Sequence, residues 1–285
     1  MVKNDVPIYV SESKSYEMTK LKPQWQEIIA EELHKAFGLS SYSPAFMCKP
    51  KWKAIRSLIG ENFPGIYAQH DQGGPVRFRT RARRSYKKFP YTSKELEIAV
   101  AEHLVEDFPQ IQIDLSNPEV SIGVEVREEM SFIYFEDVAG PGGLPVGTSE
   151  NVLSLMSGGI DSPVACYHAM KRGCHVDYLT FHSHPYTSRD GLAKIAGLVY
   201  NLNGYQNPGA YLACNMVSAQ KAIRDNCNSR MRTVLYRRIM MRVATVVAHH
   251  MHCKALLTGE ALGQVASQTL INMDAINRST DMLIL

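Results

Sequence analysis

From residue 151 onward, short apolar runs alternate with longer segments in which apolar residues recur every three or four positions. NVLSLM (151–156), HVDYLTFH (175–182), YLACNM (211–216) and KALLTG (254–259) read as strands. Residues 162–172, a stretch near 188–203 and helical segments reaching about 251 fill the intervals, with Gly173 at the C′ position of the first helix. This alternation predicts right-handed crossovers and a parallel sheet covered on both faces. Ser-Gly-Gly, FHSH and TGE then fall at strand ends on one rim, where such sheets hold ligands.

Before that stretch the period changes. In PVRFRTRARRSYKKFP (75–90), Arg77, Arg79, Arg81 and Arg83 alternate with Phe78, Thr80 and Ala82, which places the four guanidinium groups on one face of a strand. SKELEIAVAEHLVED (93–107) has the spacing of an amphipathic helix, and QIDLSNPEVSIGVEVREEMSFIYFED (112–137) reads as two strands joined through REEM. GLPVGTSEN (143–151), rich in Gly, Pro and small polar residues, reads as a connector. The expected fold is α/β, a parallel-sheet Rossmann-like domain preceded by a small α+β module.

The 285 residues suffice for two cores, and 21% charged with 45% apolar residues are ordinary values for a soluble globular chain. A net charge of only +3 means that any nucleic-acid surface must be a local concentration of charge. Arg77, Arg79, Arg81, Arg83, Arg84, Lys87 and Lys88 form one. Arginine suits bidentate phosphate contact, so this row is a candidate RNA- or DNA-backbone surface. The competing reading is an edge strand guarding itself against aggregation, for which one or two cations suffice.

MVKNDVPIYV lacks the apolar core of a signal peptide, and no apolar run reaches the roughly 18 residues that cross a bilayer. The six cysteines form no C-x-x-C pair and are expected as reduced thiols in the cytoplasm, away from any membrane. HHMHC (249–253) offers metal-ligand types, but it closes a helical pattern where histidines favour the negative dipole end and adjacent side chains diverge. No metal centre is expected there.

LSLMSGGIDSPVACY (153–167) raises the main chemical question. A strand leaves through Ser157, Gly158 and Gly159, and a helix begins within a few residues. The glycines remove side chains that would keep a ligand from the backbone, Ser162 is placed to cap the helix, and Pro163 suits its first position. Free N–H groups at such a helix start form an anion cradle. An ordinary strand–turn–helix connection would use the same residues; the other loops converging on that rim favour the cradle.

SGGIDS (157–162) resembles the PP-loop of ATP pyrophosphatases, which adenylate a carbonyl or carboxylate and release pyrophosphate. With GPGGLPVGT (140–148), MKRGCHVDYLTFHSHPYTS (170–188) and TGEALGQVASQTL (258–270), the chain resembles the tRNA 4-thiouridine synthase (tRNA sulfurtransferase) family. RARRSYKKFPYTS (81–93) and DLSNPEVSIGVEV (114–126) are similar to that family's RNA-binding THUMP domain. The likeness runs from about residue 38 to the end. It implies a partial ferredoxin-like segment over 1–38, THUMP over 39–138, a linker over 139–151 and a PP-loop ATP pyrophosphatase domain over 152–285.

The resemblance also implies roles. Ser157, Gly158, Gly159 and Ser162 would hold the pyrophosphate part of ATP. Leu155, Met156, Thr180 and Phe181 would line the adenosine pocket, and Arg237, Gly259 and Gln268 would make further ATP contacts. Asp161 is the implied catalytic residue, placing Mg²⁺ against the phosphates. Taken without the resemblance, Met156 and Phe181 read equally as core, Arg237 as part of a solvated helix side with Arg238 and Arg242, and Asp161 as a helix cap.

The implied reaction adenylates O4 of a tRNA uridine near position eight, after which sulfur from a protein persulfide displaces AMP to give 4-thiouridine. Implied partners are tRNA, a cysteine desulfurase or other persulfide donor, and a second copy of the chain in a homodimer. Sulfur supply for the thiazole of thiamine is a further implied role. Family members open with a whole ferredoxin-like domain and continue past STDMLIL through a region bearing a sulfur-transfer cysteine, so the chain is expected to be shortened at both ends. A tRNA-binding remnant that binds ATP and RNA without completing sulfur transfer is the alternative. Cys166, Cys174 and Cys253 lie in apolar patterns that suit buried thiols better than a substitute for that cysteine.

Overall fold

The computed structural model describes residues 23–260, 262–263 and 268–285. Most of the segment expected to be ferredoxin-like therefore lies outside the described residues, as does part of TGEALGQVASQTL. The first elements are α1 (Pro23–Lys35), β1 (Ser41–Tyr42), β2 (Phe46–Cys48), α2 (Trp52–His70), β3 (Val76–Arg84), α3 (Ser93–Asp107), β4 (Ile111–Ile113), β5 (Val120–Val126), β6 (Ser131–Tyr134) and β7 (Val138–Ala139). Ser41–Ala139 belong to one compact unit, and Glu32–Ser40 pack with Gly140–Leu285 in a second.

In the first unit the strand order is β2-β6-β5-β3-β4, with β3 parallel to both neighbours. Alternation along β5 sends Val120, Ile122, Val124 and Val126 to the same core as Ile55, Ile59 and Phe63 of α2 and Leu96, Val100 and Leu104 of α3. α3 starts where its sequence says it should: Thr92 Oγ1 accepts the Glu95 N–H at 3.3 Å, and Glu95 Oε2 accepts the Thr92 N–H at 2.7 Å. β3 pairs with β5 along one side, and with a second strand only over its first three residues. β4 covers Val76–Phe78, and beyond it Glu97 of α3 accepts the Ala82 N–H at 3.1 Å. Past Phe78 no described strand pairs with β3 on that side, and α3 packs there instead.

The second unit continues with β8 (Asn151–Met156), α4 (Asp161–Lys171), β9 (His175–His182), α5 (Arg189–Leu202), β10 (Tyr211–Asn215), α6 (Val217–Asn226), α7 (Arg232–His250), β11 (Ala255–Leu257), α8 (Leu270–Asn277) and β12 (Leu283–Ile284). Its five strands are all parallel, in the order β10-β9-β8-β11-β12. α4 and α5 cover one face through Cys166, Met170, Ile195 and Val199; α7 and α8 cover the other through Met241, Ala244, Ala248 and Ile276. Phe37, carried ahead of the first unit in sequence, stacks on Tyr205 at 5.5 Å and meets Tyr167 edge-on at 5.1 Å.

Crossovers run from β8 toward β10 and then reverse to β11 and β12. Sheets of this winding take ligands in a crevice beyond the carboxyl ends of the strands that flank the reversal, here β8 and β11. Gly173, at φ +91, ends α4 by donating its N–H to Met170 O at 2.8 Å.

Candidate functional site

The turn leaving β8 lies at that position. Ser157 donates its N–H to Ser162 Oγ at 3.1 Å, the two hydroxyls stand 3.2 Å apart, and Gly159 donates its N–H to Ser157 Oγ at 3.3 Å. Ser162 is therefore not the helix cap anticipated from its spacing: α4 begins at Asp161, Ile160 precedes it without a side-chain cap, and the Ser162 hydroxyl turns back to hold the loop. Pro163 accordingly sits at the third helical position, not the first. The N–H groups of Gly158, Ile160, Asp161 and Ser162 have no acceptor among the described residues. Together with the positive end of α4 they form a cradle for an anion.

Three further groups surround the cradle. Asp161 is exposed at the first turn of α4. Lys194 of α5 reaches over the glycines, so that a Cβ built on Gly158 would lie 3.9 Å from Lys194 Cδ. Gly259, after β11, is pressed against the helix start: a Cβ there would stand 2.4 Å from the Ser162 nitrogen and 2.6 Å from the Asp161 carbonyl carbon. Its lack of a side chain is required first by the protein's own backbone.

Arg237 of α7 pairs with Glu260, the residue after Gly259, and its burial lowers its pKa. Gln268 is buried, and its carbonyl accepts the Gly263 N–H at 3.0 Å. The residues expected to line an adenosine pocket divide between the two faces of the sheet. Leu155 and Phe181 are half-buried on the α7–α8 side; Met156, buried, lies on the α4–α5 side. Thr180 is also buried and spends its hydroxyl on Met156 O at 3.0 Å, tying the ends of β8 and β9 together.

The cysteines proposed as substitutes are poor nucleophiles here. Burial pushes the Cys166 thiol up to about 11 and the Cys253 thiol up to about 12, and it raises Cys174 as well. All six thiols are free. Among the described residues no three His, Cys, Asp or Glu side chains converge on a metal position.

In the first unit the arginines do share a face, in register with β5 and β6. Arg79 donates from Nε to Ser121 Oγ at 2.9 Å, and Arg77 meets Glu119 at 3.5 Å. Arg81 pairs across to Gly123, which pairs to Tyr134. The Tyr134 ring lies flat on Gly123, where a Cβ would meet it at 2.0 Å. Burial raises the Tyr134 pKa. Arg84 leaves the row: its guanidinium donates to the carbonyls of Lys87 and Phe89, both at 3.2 Å. Lys87 and Lys88 are exposed in the turn that Arg84 braces.

Two family profiles match the chain: the THUMP domain over residues 54–136 and Thiamine biosynthesis protein (ThiI) over residues 147–285. Over 278 residues it is 35% identical to the probable tRNA sulfurtransferase of Alkaliphilus metalliredigens, an alignment that covers 98% of this chain and 69% of that protein. The chain belongs to the tRNA sulfurtransferase family. Members from Brevibacillus brevis and Moorella thermoacetica are each 39% identical over 90% and 91% of the chain. The chain spans 63% and 65% of the lengths of those two probable tRNA sulfurtransferases. A crystal structure of a 4-thiouridine synthetase–RNA complex with bound ATP superposes with a TM-score of 0.81 at 30% identity, covering 90% of this chain and 66% of that one. A protein of Pyrococcus horikoshii Ot3 shares the fold, with a TM-score of 0.67 at 22% identity.

Lys194, Glu260 and Tyr134 were not among the residues singled out from the sequence. Glu260 had a signal, standing in TGE at a strand end. Lys194 had none, because only the packing of α5 beside α4 brings it to the glycines. Tyr134 is marked only by the register that sets it across from Gly123.

Proposed function

We propose that the chain binds ATP in the cradle after β8 and uses it to adenylate O4 of a uridine in tRNA, near position eight, so that sulfur can replace that oxygen. The observation that carries this reading is the set of unpaired N–H groups at Gly158, Ile160, Asp161 and Ser162, at the reversal of strand order, in a member of this family. Uracil O4 attacks the α-phosphorus and pyrophosphate leaves; the outer sulfur of a protein persulfide then attacks C4 and expels AMP, and a second thiol cleaves the resulting S–S link, leaving 4-thiouridine on the RNA and a disulfide on the donor.

The protein's contribution is alignment and charge neutralisation. The cradle and Lys194 hold the β- and γ-phosphates. Arg237, through Glu260, holds the segment after β11 against the helix start, with Gly259 closing the crevice. Asp161, an exposed carboxylate beside the cradle, fits Mg²⁺, which commonly takes one or two carboxylates and completes its shell with phosphates and water. When bound, that ion neutralises phosphate charge. The face bearing Arg77, Arg79, Arg81 and Arg83, with Lys87 and Lys88, supplies affinity for the tRNA backbone.

The donor of sulfur is a cysteine desulfurase or another persulfide carrier. Six free thiols fit a reducing compartment, the cytoplasm. Among the described residues no helix is long and apolar enough to cross a membrane. Pairing with a second copy, and sulfur supply for the thiazole of thiamine, extend the same reading.

The test is pyrophosphate release from ATP with unmodified tRNA. Release that requires both substrates supports the assignment. RNA binding with no pyrophosphate above background would favour the second reading, a tRNA-binding chain that does not complete the chemistry.

A further inference from the structure

The turn after β9 has a feature that ATP binding does not explain. Ser183 O accepts the N–H groups of Tyr186 at 2.7 Å and Thr187 at 3.2 Å, and the Ser183 N–H donates to Thr187 Oγ1 at 3.2 Å. Two bonds fasten this turn to its surroundings: Ser183 Oγ to Gln220 Oε1 of α6 at 2.7 Å, and Asn215 Nδ2 to His184 O at 3.0 Å. On this fixed turn the side chain of Tyr186 stands 71% exposed, with the Lys221 ammonium 5.5 Å from its ring centroid. An aromatic side chain left this bare contributes little to the core, yet its backbone is held at several points and a cation faces its ring.

Its location gives the ring a use. β8 and β9 are parallel neighbours with Met156 opposite Thr180, so the turn leaving β9 stands beside the Ser157–Gly159 turn on the same rim. Exposed Lys221 and Arg189 flank it. An enzyme that reacts at O4 of a base held in a folded RNA must draw that base out of its stack, and an extruded base needs a new surface. Aromatic side chains supply such surfaces in RNA recognition, with cations nearby to meet the backbone.

We propose that Tyr186 is a stacking surface for an unstacked base of the RNA substrate, presented at the edge of the nucleotide crevice. The proposal rests on the RNA-adenylating reading above and adds to it the residue that receives the base. Tyr186 touches substrate through the face of its ring; its hydroxyl is not needed.

The experiment uses the full chain as wild type, Tyr186→Ala and Tyr186→Phe. Pyrophosphate release is followed at saturating ATP while unmodified tRNA is varied, and ATP affinity is measured without RNA. Tyr186→Ala is expected to lower kcat/KM for tRNA by about five- to a hundred-fold, the range for loss of one stacked base. Tyr186→Phe should stay within about threefold of wild type, because it keeps the ring. ATP affinity should be unchanged in both. The salt dependence of tRNA binding should keep its slope in Tyr186→Ala, since stacking neutralises no phosphate.

An unaltered tRNA response in Tyr186→Ala overturns the stacking role and leaves the adenylating reading intact. A loss of ATP affinity in that variant also overturns it, by showing the ring to serve adenine. A wild-type chain that binds tRNA and releases no pyrophosphate overturns the adenylating reading, and the stacking role falls with it.

Discussion

The backbone of Gly259 rests against that of Ser162, closer than any side chain at position 259 would allow. The contact joins the segment after β11 to the first turn of α4 and so closes the crevice from its second side. All three atoms nearest an added Cβ belong to the main chain, which cannot swing aside. Gly259→Ala is expected to lower stability by about 1–3 kcal/mol, the usual cost of overpacking, and to weaken ATP binding at least tenfold as the cradle shifts. Thermal unfolding and calorimetric titration with ATP measure the two effects. Gly158→Ala is the contrast, since its nearest neighbour is the side chain of Lys194 at 3.9 Å, and its melting temperature should stay close to wild type.

Asp161 is exposed, so its removal should leave folding untouched. Asp161→Ala and Asp161→Asn are both expected to abolish tRNA-dependent pyrophosphate release. In chelator, ATP affinity should match wild type. Added Mg²⁺ should tighten ATP binding in wild type and have a much smaller effect in either variant.

Lys194 gives a sharper test of the cradle because no local pattern marks it. Lys194→Ala should raise KM for ATP about tenfold or more, on the scale of one charge-assisted hydrogen bond, while the melting temperature stays constant. Lys194→Arg should recover most of the loss. An ATP response in Lys194→Ala equal to wild type would remove this residue from the site.

The two-domain plan is legible in the sequence because both periods are strong. Period two along Arg77–Arg83 and apolar runs at 151–156 and 175–182 coincide with β3, β8 and β9. Thr92 and Glu95 mark the start of α3 by local chemistry alone. What escaped depends on contacts distant in sequence. Ser162 has the spacing of a cap, yet Ser157 claims its hydroxyl. Gly259 looks like a concession to a ligand, and is one to Asp161 and Ser162. Leu155 and Met156 are adjacent in sequence, and a strand sends them to opposite faces. β12 and β4 are too short to carry a periodic signal.

The arginine row predicts how RNA binding responds to salt. Arg79→Ala and Arg81→Ala should each weaken tRNA binding and reduce the log–log salt slope by about 0.7–0.9 for each phosphate that is no longer neutralised. Arg84→Ala should leave the slope alone, because its guanidinium is already engaged by the carbonyls of Lys87 and Phe89. Filter-binding titrations across a salt series distinguish the two classes.

The buried thiols make a prediction at alkaline pH. Cys166 and Cys253 keep their protons up to about 11 and about 12 in the folded chain, against an ordinary thiol value of 9.0. Above that ordinary value the unfolded chain has lost protons that the folded chain retains. Stability is therefore flat with respect to these groups below pH 9 and falls as pH rises toward 12. Urea midpoints should decline between about pH 9 and about pH 10.5, and the decline should be shallower in Cys166→Ala/Cys253→Ala. Alkylation of both thiols at neutral pH should wait for unfolding.

The mutual grip of Ser157 and Ser162 has a bearing on binding that extends past the turn itself. Since those hydroxyls already lock the loop and Gly259 already clamps it, the conformational entropy of arranging the amides is surrendered when the chain folds. An arriving polyphosphate meets a receptor of settled shape, and more of its interaction energy is left to appear as affinity. Cutting either hydroxyl would move that entropy loss into the binding step, leaving every amide in place and yet slackening the hold on the ligand.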